Sequence, residues 1–157
     1  MYSTILLAAA LQDWERYSVH ALGAREVAAA LASASKRLHV LSVYEYNNLE
    51  TRSLPTDIAV RYREDLIQRT DDFMRQKLEE YVAPLHTEGI EVSKILRLGN
   101  PREEIVKVAT EIEADLLIIG THSKRSLFDI FLGGTAQAVS KRAPCTLLFV
   151  APHINTA

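Results

Sequence analysis

The chain has 157 residues, with 18 Lys and Arg against 20 Asp and Glu, for a formal net charge of −2. Apolar residues make up 48% and charged residues 24%, which fits one soluble globular domain spanning 1–157. That balance excludes the basic footprint of a nucleic-acid binder, and no block of like charge is long enough to form an interaction tail. The single cysteine, Cys145, has no internal partner, and a domain of this size buries about 68–70% of its unfolded surface without a staple.

The first element is the apolar run Ile5-Leu6-Leu7-Ala8-Ala9-Ala10-Leu11. It is too short to cross a bilayer and lacks the basic region of a signal peptide, so no membrane insertion and a cytoplasmic location are expected. Its alanines favour helix, but Thr4, Ile5 and the polar break after Leu11 favour a strand buried on both faces. An alanine-rich helix is expected over 17–35, with Ala21, Leu22, Val27, Ala28, Leu31 and Ala32 facing inward. Residues 37–44 read as a second strand, and 45–57, with Asn47, Asn48 and Pro55, as a loop.

A long helix is expected over 56–85. Ile58, Tyr62, Leu66, Phe73, Leu78, Tyr81 and Leu85 mark its apolar stripe, Pro84 should kink or shorten its last turn, and Gly89 is the stop. Asp71, Asp72, Glu79 and Glu80 read as its solvated face. The alternation over 90–97 predicts a half-buried strand at a sheet edge. Asn100 then caps a helix with Pro101 at its first position and Glu103 and Glu104 complementing its dipole. Ile105, Val106, Val108, Ala109 and Ile112 point inward. A central strand follows at 115–120, a helix at 134–142 and a last strand at 146–150, with a frayed tail beyond. Alternating strands and helices imply an open, mostly parallel sheet with helices on both faces.

In such sheets ligands bind at the carboxyl ends of the strands, where the strand order reverses. Two loops compete for that role. One follows the first strand and carries Asp13 and Trp14. The other runs over 120–135, leaving a buried strand at Gly120 and entering a helix at Gly133, Gly134 and Thr135. Glycines admit close backbone approach, and a helix start offers free N–H groups to an anion. Ser123, Ser126 and Thr135 could add hydroxyls, and Lys124 and Arg125 charge. The competing reading is a glycine-turned loop that only packs over the sheet. His20, His39, His86, His122 and His153 are scattered and show no metal-ligand spacing. His122 alone falls in the loop, where a packing role competes with a chemical one. Trp14 reads as a loop anchor or a base-stacking ring, and Cys145 as a structural apolar residue.

The segments Gly120-Thr121-His122-Ser123, 132–139 and 143–150 resemble the C-terminal signature of universal stress proteins. Residues 99–105 and 114–120 resemble the same family's third-helix approach and fourth strand, so the similarity covers nearly the whole chain. It implies a five-stranded sheet of order 3-2-1-4-5. The family has ATP-binding and non-binding members, and the former carry Gly-x2-Gly-x9-Gly-Ser/Thr. This chain keeps the spacing with Gly120 and Gly133, but has Ser123 at the second glycine and Gly134 at the hydroxyl position, with Thr135 one place later. Ala10 stands where such relatives have the Asp that meets adenine, Asp13 comes three residues later, and Val43 is the counterpart of a residue flanking the base.

The resemblance therefore implies a small stress-response or signalling protein with an adenine nucleotide, ATP or AMP, at Asp13, Val43, Gly120, Thr121, His122, Ser123, Gly133, Gly134 and Thr135. Mg²⁺ would accompany a triphosphate, and hydrolysis would be weak at most. The alternative is a nucleotide-free dimeric interaction module of the same fold. The resemblance also implies a homodimer through the last strand, Thr146–Val150, and leaves any protein partner unnamed. A receiver domain is set aside because Arg97-Leu98-Gly99 offers no phosphoacceptor Asp. A P-loop enzyme is set aside because Gly-x4-Gly-Lys-Ser/Thr is missing.

Overall fold

The computed structural model describes residues 2–11, 19–46, 53–120 and 134–151. In chain order these form β1 (Ile5–Ala8), α1 (Val19–Leu31), β2 (Arg37–Tyr44), α2 (Thr56–Thr87), β3 (Glu91–Leu98), α3 (Pro101–Glu111), β4 (Leu116–Gly120), α4 (Gly134–Arg142) and β5 (Thr146–Val150). The five strands make one sheet in the order β3-β2-β1-β4-β5, with every neighbouring pair parallel.

β1 is the centre of this sheet. Leu6 lies opposite His39 of β2 and Leu117 of β4, and Ala8 opposite Leu41 and Ile119. A parallel strand between two others is covered on both faces, which explains an unbroken apolar run in place of alternation. Ile5, Leu6 and Leu7 are fully buried. Burying each such side chain is worth about 1.5–3 kcal/mol. The strand stops at Ala8, earlier than the apolar run, because Leu11 goes into the core as loop.

Side-chain alternation divides the core in two. Ile5, Leu7, Leu38, Val40, Leu116 and Ile118 pack with α1 and α2 on one face. Leu6, Ala8, Leu41, Leu117 and Ile119 pack with α3 and α4 on the other. Alanine at 21, 24, 28 and 32 lets α1 sit close to the sheet. Tyr81 of α2 is fully buried and donates its hydroxyl to the Ala21 carbonyl at 2.5 Å. Arg25 of α1 returns a bond to the Tyr81 carbonyl at 2.9 Å, its guanidinium 5.2 Å from the ring centroid.

The long helix departs from its sequence reading in three ways. Its 32 residues span about 48 Å, whereas the eight of β3 span about 27 Å. Its buried residues are Met74, Leu78, Tyr81, Val82 and Leu85, all in the second half. Ile58, Tyr62 and Phe73 of the expected stripe are 50%, 43% and 39% exposed. Periodicity marks the apolar side of a helix, but not how far the sheet beneath it extends. Pro84 does not shorten the helix, which runs on to Thr87. A proline near a helix end removes only one ladder bond, and the following carbonyls would be without helical partners anyway. Gly89, at φ 76°, ends it by turning left-handed, with Ile90 N–H donating to the Leu85 carbonyl. Asp71 leaves the expected solvated face: it is half-buried, accepting from the Tyr44 hydroxyl at 2.9 Å and Arg75 Nε at 2.6 Å. Glu79 pairs with Lys94 of β3.

Asp115 fastens the amino end of β4 to β1. Its carboxylate accepts from the Ser3 N–H at 2.8 Å, the Ser3 hydroxyl at 3.0 Å and the Thr4 N–H at 3.0 Å. Desolvation alone would raise its pKa, but these donors outweigh it and hold the carboxyl below its usual 3.8. A lowered folded-state pKa stabilises the fold above the unfolded value and ceases to do so as pH falls through the folded one. Asp115→Asn is therefore expected to destabilise the protein at pH 7. Urea unfolding of both proteins should show the difference shrinking as pH drops below the usual carboxylate pKa.

Candidate functional site

The strand order reverses between β1 and β4. β1 connects to β2 on one side, while β3 returns through α3 to β4 on the other. The chain thus goes from β1 to α1 on one face and from β4 to α4 on the other, and such a switch point is where open parallel sheets place their ligands. Ala9, Val43 and Gly120 reach this rim. Ala8 lies level with Leu41 and Ile119, so the three sit within about two residues of one register line. β2 and β4 are about 10 Å apart across β1.

The rim is firmly held. Past the end of β1, Ala9 N–H donates to the Leu41 carbonyl, and the buried Ser42 hydroxyl donates to the Ala9 carbonyl, both at 2.9 Å. Ala10 is left exposed at the mouth, and Leu11 turns back into the core. Val43 packs partly buried against the α3 and α4 side. Tyr44, on the opposite side, is buried and tied to Asp71 of α2. Beyond it, the Tyr46 ring lies 5.2 Å from the Arg63 guanidinium, so the tail of β2 supports the overhanging half of α2.

Two helices begin at the same rim. The Asn100 side chain caps α3 by accepting from Arg102 N–H at 2.9 Å, and Pro101 occupies the first turn, as the sequence indicates. Replacing such a cap costs about 1 kcal/mol. α4 begins at Gly134, followed by half-buried Thr135. Its first N–H groups have no intrahelical partner and face the end where the strands release their loops. The Arg102 guanidinium lies against Gly134: an ideal Cβ there would overlap its Nη2 and stand 3.1 Å from its Cζ.

Val43, Gly120, Gly134 and Thr135 of the sequence-derived set thus meet at one end of the sheet. Asp13, Thr121, His122, Ser123 and Gly133 lie outside the described residues, as do Trp14, Lys124, Arg125 and Ser126. Arg102, Ser42 and the Tyr44–Asp71 pair escaped the sequence reading. Only Arg102 leaves a signal there: a basic residue in a helix's first turn opposes the dipole. β4 ends on a glycine, the space beside Gly134 is taken by the Arg102 guanidinium, and Val43 presents a partly buried apolar side chain. Among the described residues, no group of three His, Cys, Asp or Glu could hold a metal, so no Mg²⁺ ligands are assigned. Cys145 is half-buried beside the α3 and α4 core. Burial, and then the charge of Asp115, push its thiol pKa up, which keeps it protonated and structural.

The universal stress protein family model matches residues 1–151. The chain belongs to the universal stress protein family. A family member from Thermus aquaticus is 32% identical over 152 residues, covering 96% of this chain and 99% of its own. Universal stress protein MJ0577 of Methanocaldococcus jannaschii is 29% identical over 119 residues, covering 72% and 74%. The solved MJ0577 structure superposes with a TM-score of 0.70 at 26% identity, covering 99% of both chains. A universal stress protein solved in complex with cAMP superposes with a TM-score of 0.66 at 20% identity, covering 97% of this chain and 98% of that one. These neighbours share the five-stranded, doubly covered sheet. Among the described residues, no helix is long and apolar enough to cross a membrane.

At the rim, Tyr44 is the titratable group with the largest displacement. Burial first, then its bond to Asp71 and that carboxylate's charge, push the phenol up to about 12, against a smaller opposing effect of Arg75. A raised folded-state pKa contributes stability that is complete below the unfolded value of 10 and lost as pH rises through about 12. Ultraviolet titration of Tyr44→Phe should lack one phenolic step near 12 and keep the steps of the remaining tyrosines.

Proposed function

We propose that this universal stress protein is a one-domain cytoplasmic stress-response or signalling protein that binds an adenine nucleotide at the carboxyl rim of its sheet. The observation that carries the reading is the meeting of Val43, Gly120, Gly134 and Thr135 where the strand order reverses. Val43 would flank the base. Gly120 and the start of α4 would receive the sugar and phosphates, with Asp13, Thr121, His122, Ser123 and Gly133 completing the site. Family membership supports this, and one neighbour of the same fold was solved with cAMP. Titration calorimetry of nucleotide-free protein with ATP, ADP and AMP should give saturable heats. Flat heats up to about 1 mM ligand, where binding is worth only about 4 kcal/mol, would overturn the proposal.

A second reading, a nucleotide-free interaction module, draws on exposed Ala10, which offers a base no carboxylate. Common to both is a homodimer formed through β5. This strand lies at the sheet edge, and Leu147, Leu148, Phe149 and Val150 are only half-buried. An apolar edge strand is stabilised by pairing with a second copy. Light scattering at tens of micromolar is expected to give about twice the 17.6 kDa chain mass, and about the single-chain mass for Phe149→Asp. A monomer before substitution would sink the dimer.

A further inference from the structure

Arg102 is the feature that the fold and its caps leave unexplained. Five cations of the described sheet and helices have carboxylate partners: Arg37 with Glu91, Arg69 with Asp65, Arg75 with Asp71, Lys94 with Glu79 and Arg97 with Glu111. Arg25 is bonded to the Tyr81 carbonyl. Arg102 has no ion pair among the described residues, although Glu103 and Glu104 share its turn. It stands in the first turn of α3, where a cation opposes the helix dipole, and its guanidinium reaches the first residue of a second helix, α4, with the same polarity. Its backbone is pinned there by the bond from its N–H to the Asn100 side chain. The guanidinium can occupy this place only because residue 134 has no Cβ.

A cation set between two helix starts opposes both dipoles, and an anion between them would be attracted by all three. A planar guanidinium offers five N–H donors that match phosphate oxygens in pairs. We propose that Arg102 is a specificity-determining residue of the nucleotide site, contacting the terminal phosphates and selecting di- and triphosphates over the monophosphate and the nucleoside. Gly134 is its structural complement. This rests on the nucleotide-binding reading above.

Calorimetry with ATP, AMP and adenosine on the unaltered chain, Arg102→Gln and Gly134→Ala separates the possibilities. Arg102 is exposed, so its replacement should leave the thermal melt unchanged. The unaltered chain is expected to prefer ATP to AMP, and Arg102→Gln to weaken ATP about tenfold or more while leaving adenosine unchanged. Gly134→Ala, which adds a Cβ and no hydroxyl, should weaken ATP in the same direction by displacing the guanidinium. Arg102→Gln should also flatten the salt dependence of ATP binding. ATP affinity within twofold of the unaltered chain in Arg102→Gln would overturn the assignment while leaving nucleotide binding intact. An equal loss for adenosine would overturn it too, by showing a merely structural role. If the unaltered chain binds none of the three, the nucleotide reading fails first and the role of Arg102 falls with it.

Discussion

The structure depends on the parallel pairing of β1 with β2 on one side and β4 on the other. A strand in that place must be apolar on both faces, and Ile5, Leu6 and Leu7 are fully buried. Both halves of the core include its side chains, taken alternately. Truncating Leu6 or Leu7 to alanine removes contacts from one helical layer and loosens the sheet shared with the other, at a cost of about 2–5 kcal/mol. The switch point follows from the same pairing, because the partners of β1 on its two sides are reached through helices on opposite faces.

Around that centre the two faces are built differently. The α1 and α2 face is closed by small residues and by the reciprocal Tyr81–Ala21 and Arg25–Tyr81 bonds. The α3 and α4 face supplies the helix starts that meet at the rim. Ser42 and Tyr44 add to the first face at the end of β2, the one by occupying the Ala9 carbonyl and the other by anchoring α2 through Asp71.

Much of this was legible from residue order. The strands of the sheet, the edge position of β3, the Asn100 cap and the Gly89 stop are local matters, decided by alternation, apolar runs and backbone conformation within a few residues. The exposure of Ile58, Tyr62 and Phe73 along α2 was not legible, since they carry a helical period whether or not a strand lies beneath them. Nor was the half-burial of Asp71, which depends on Tyr44, a residue 27 positions away. At the rim, the sequence named Val43, Gly120, Gly134 and Thr135, because glycines and a base-flanking position follow a motif. It did not name Arg102, whose place depends on two helices meeting.

The amino-acid sequence by itself determined the family, the succession of strands and helices and the glycine-framed loop, because propensity, periodicity and motif spacing act over short stretches of chain. Only the tertiary structure decided which glycine matters to a neighbour. Gly134 reads in the sequence as a lost hydroxyl. In the fold it is the gap that admits the Arg102 guanidinium, since steric exclusion between residues 32 positions apart exists only after α3 and α4 have packed.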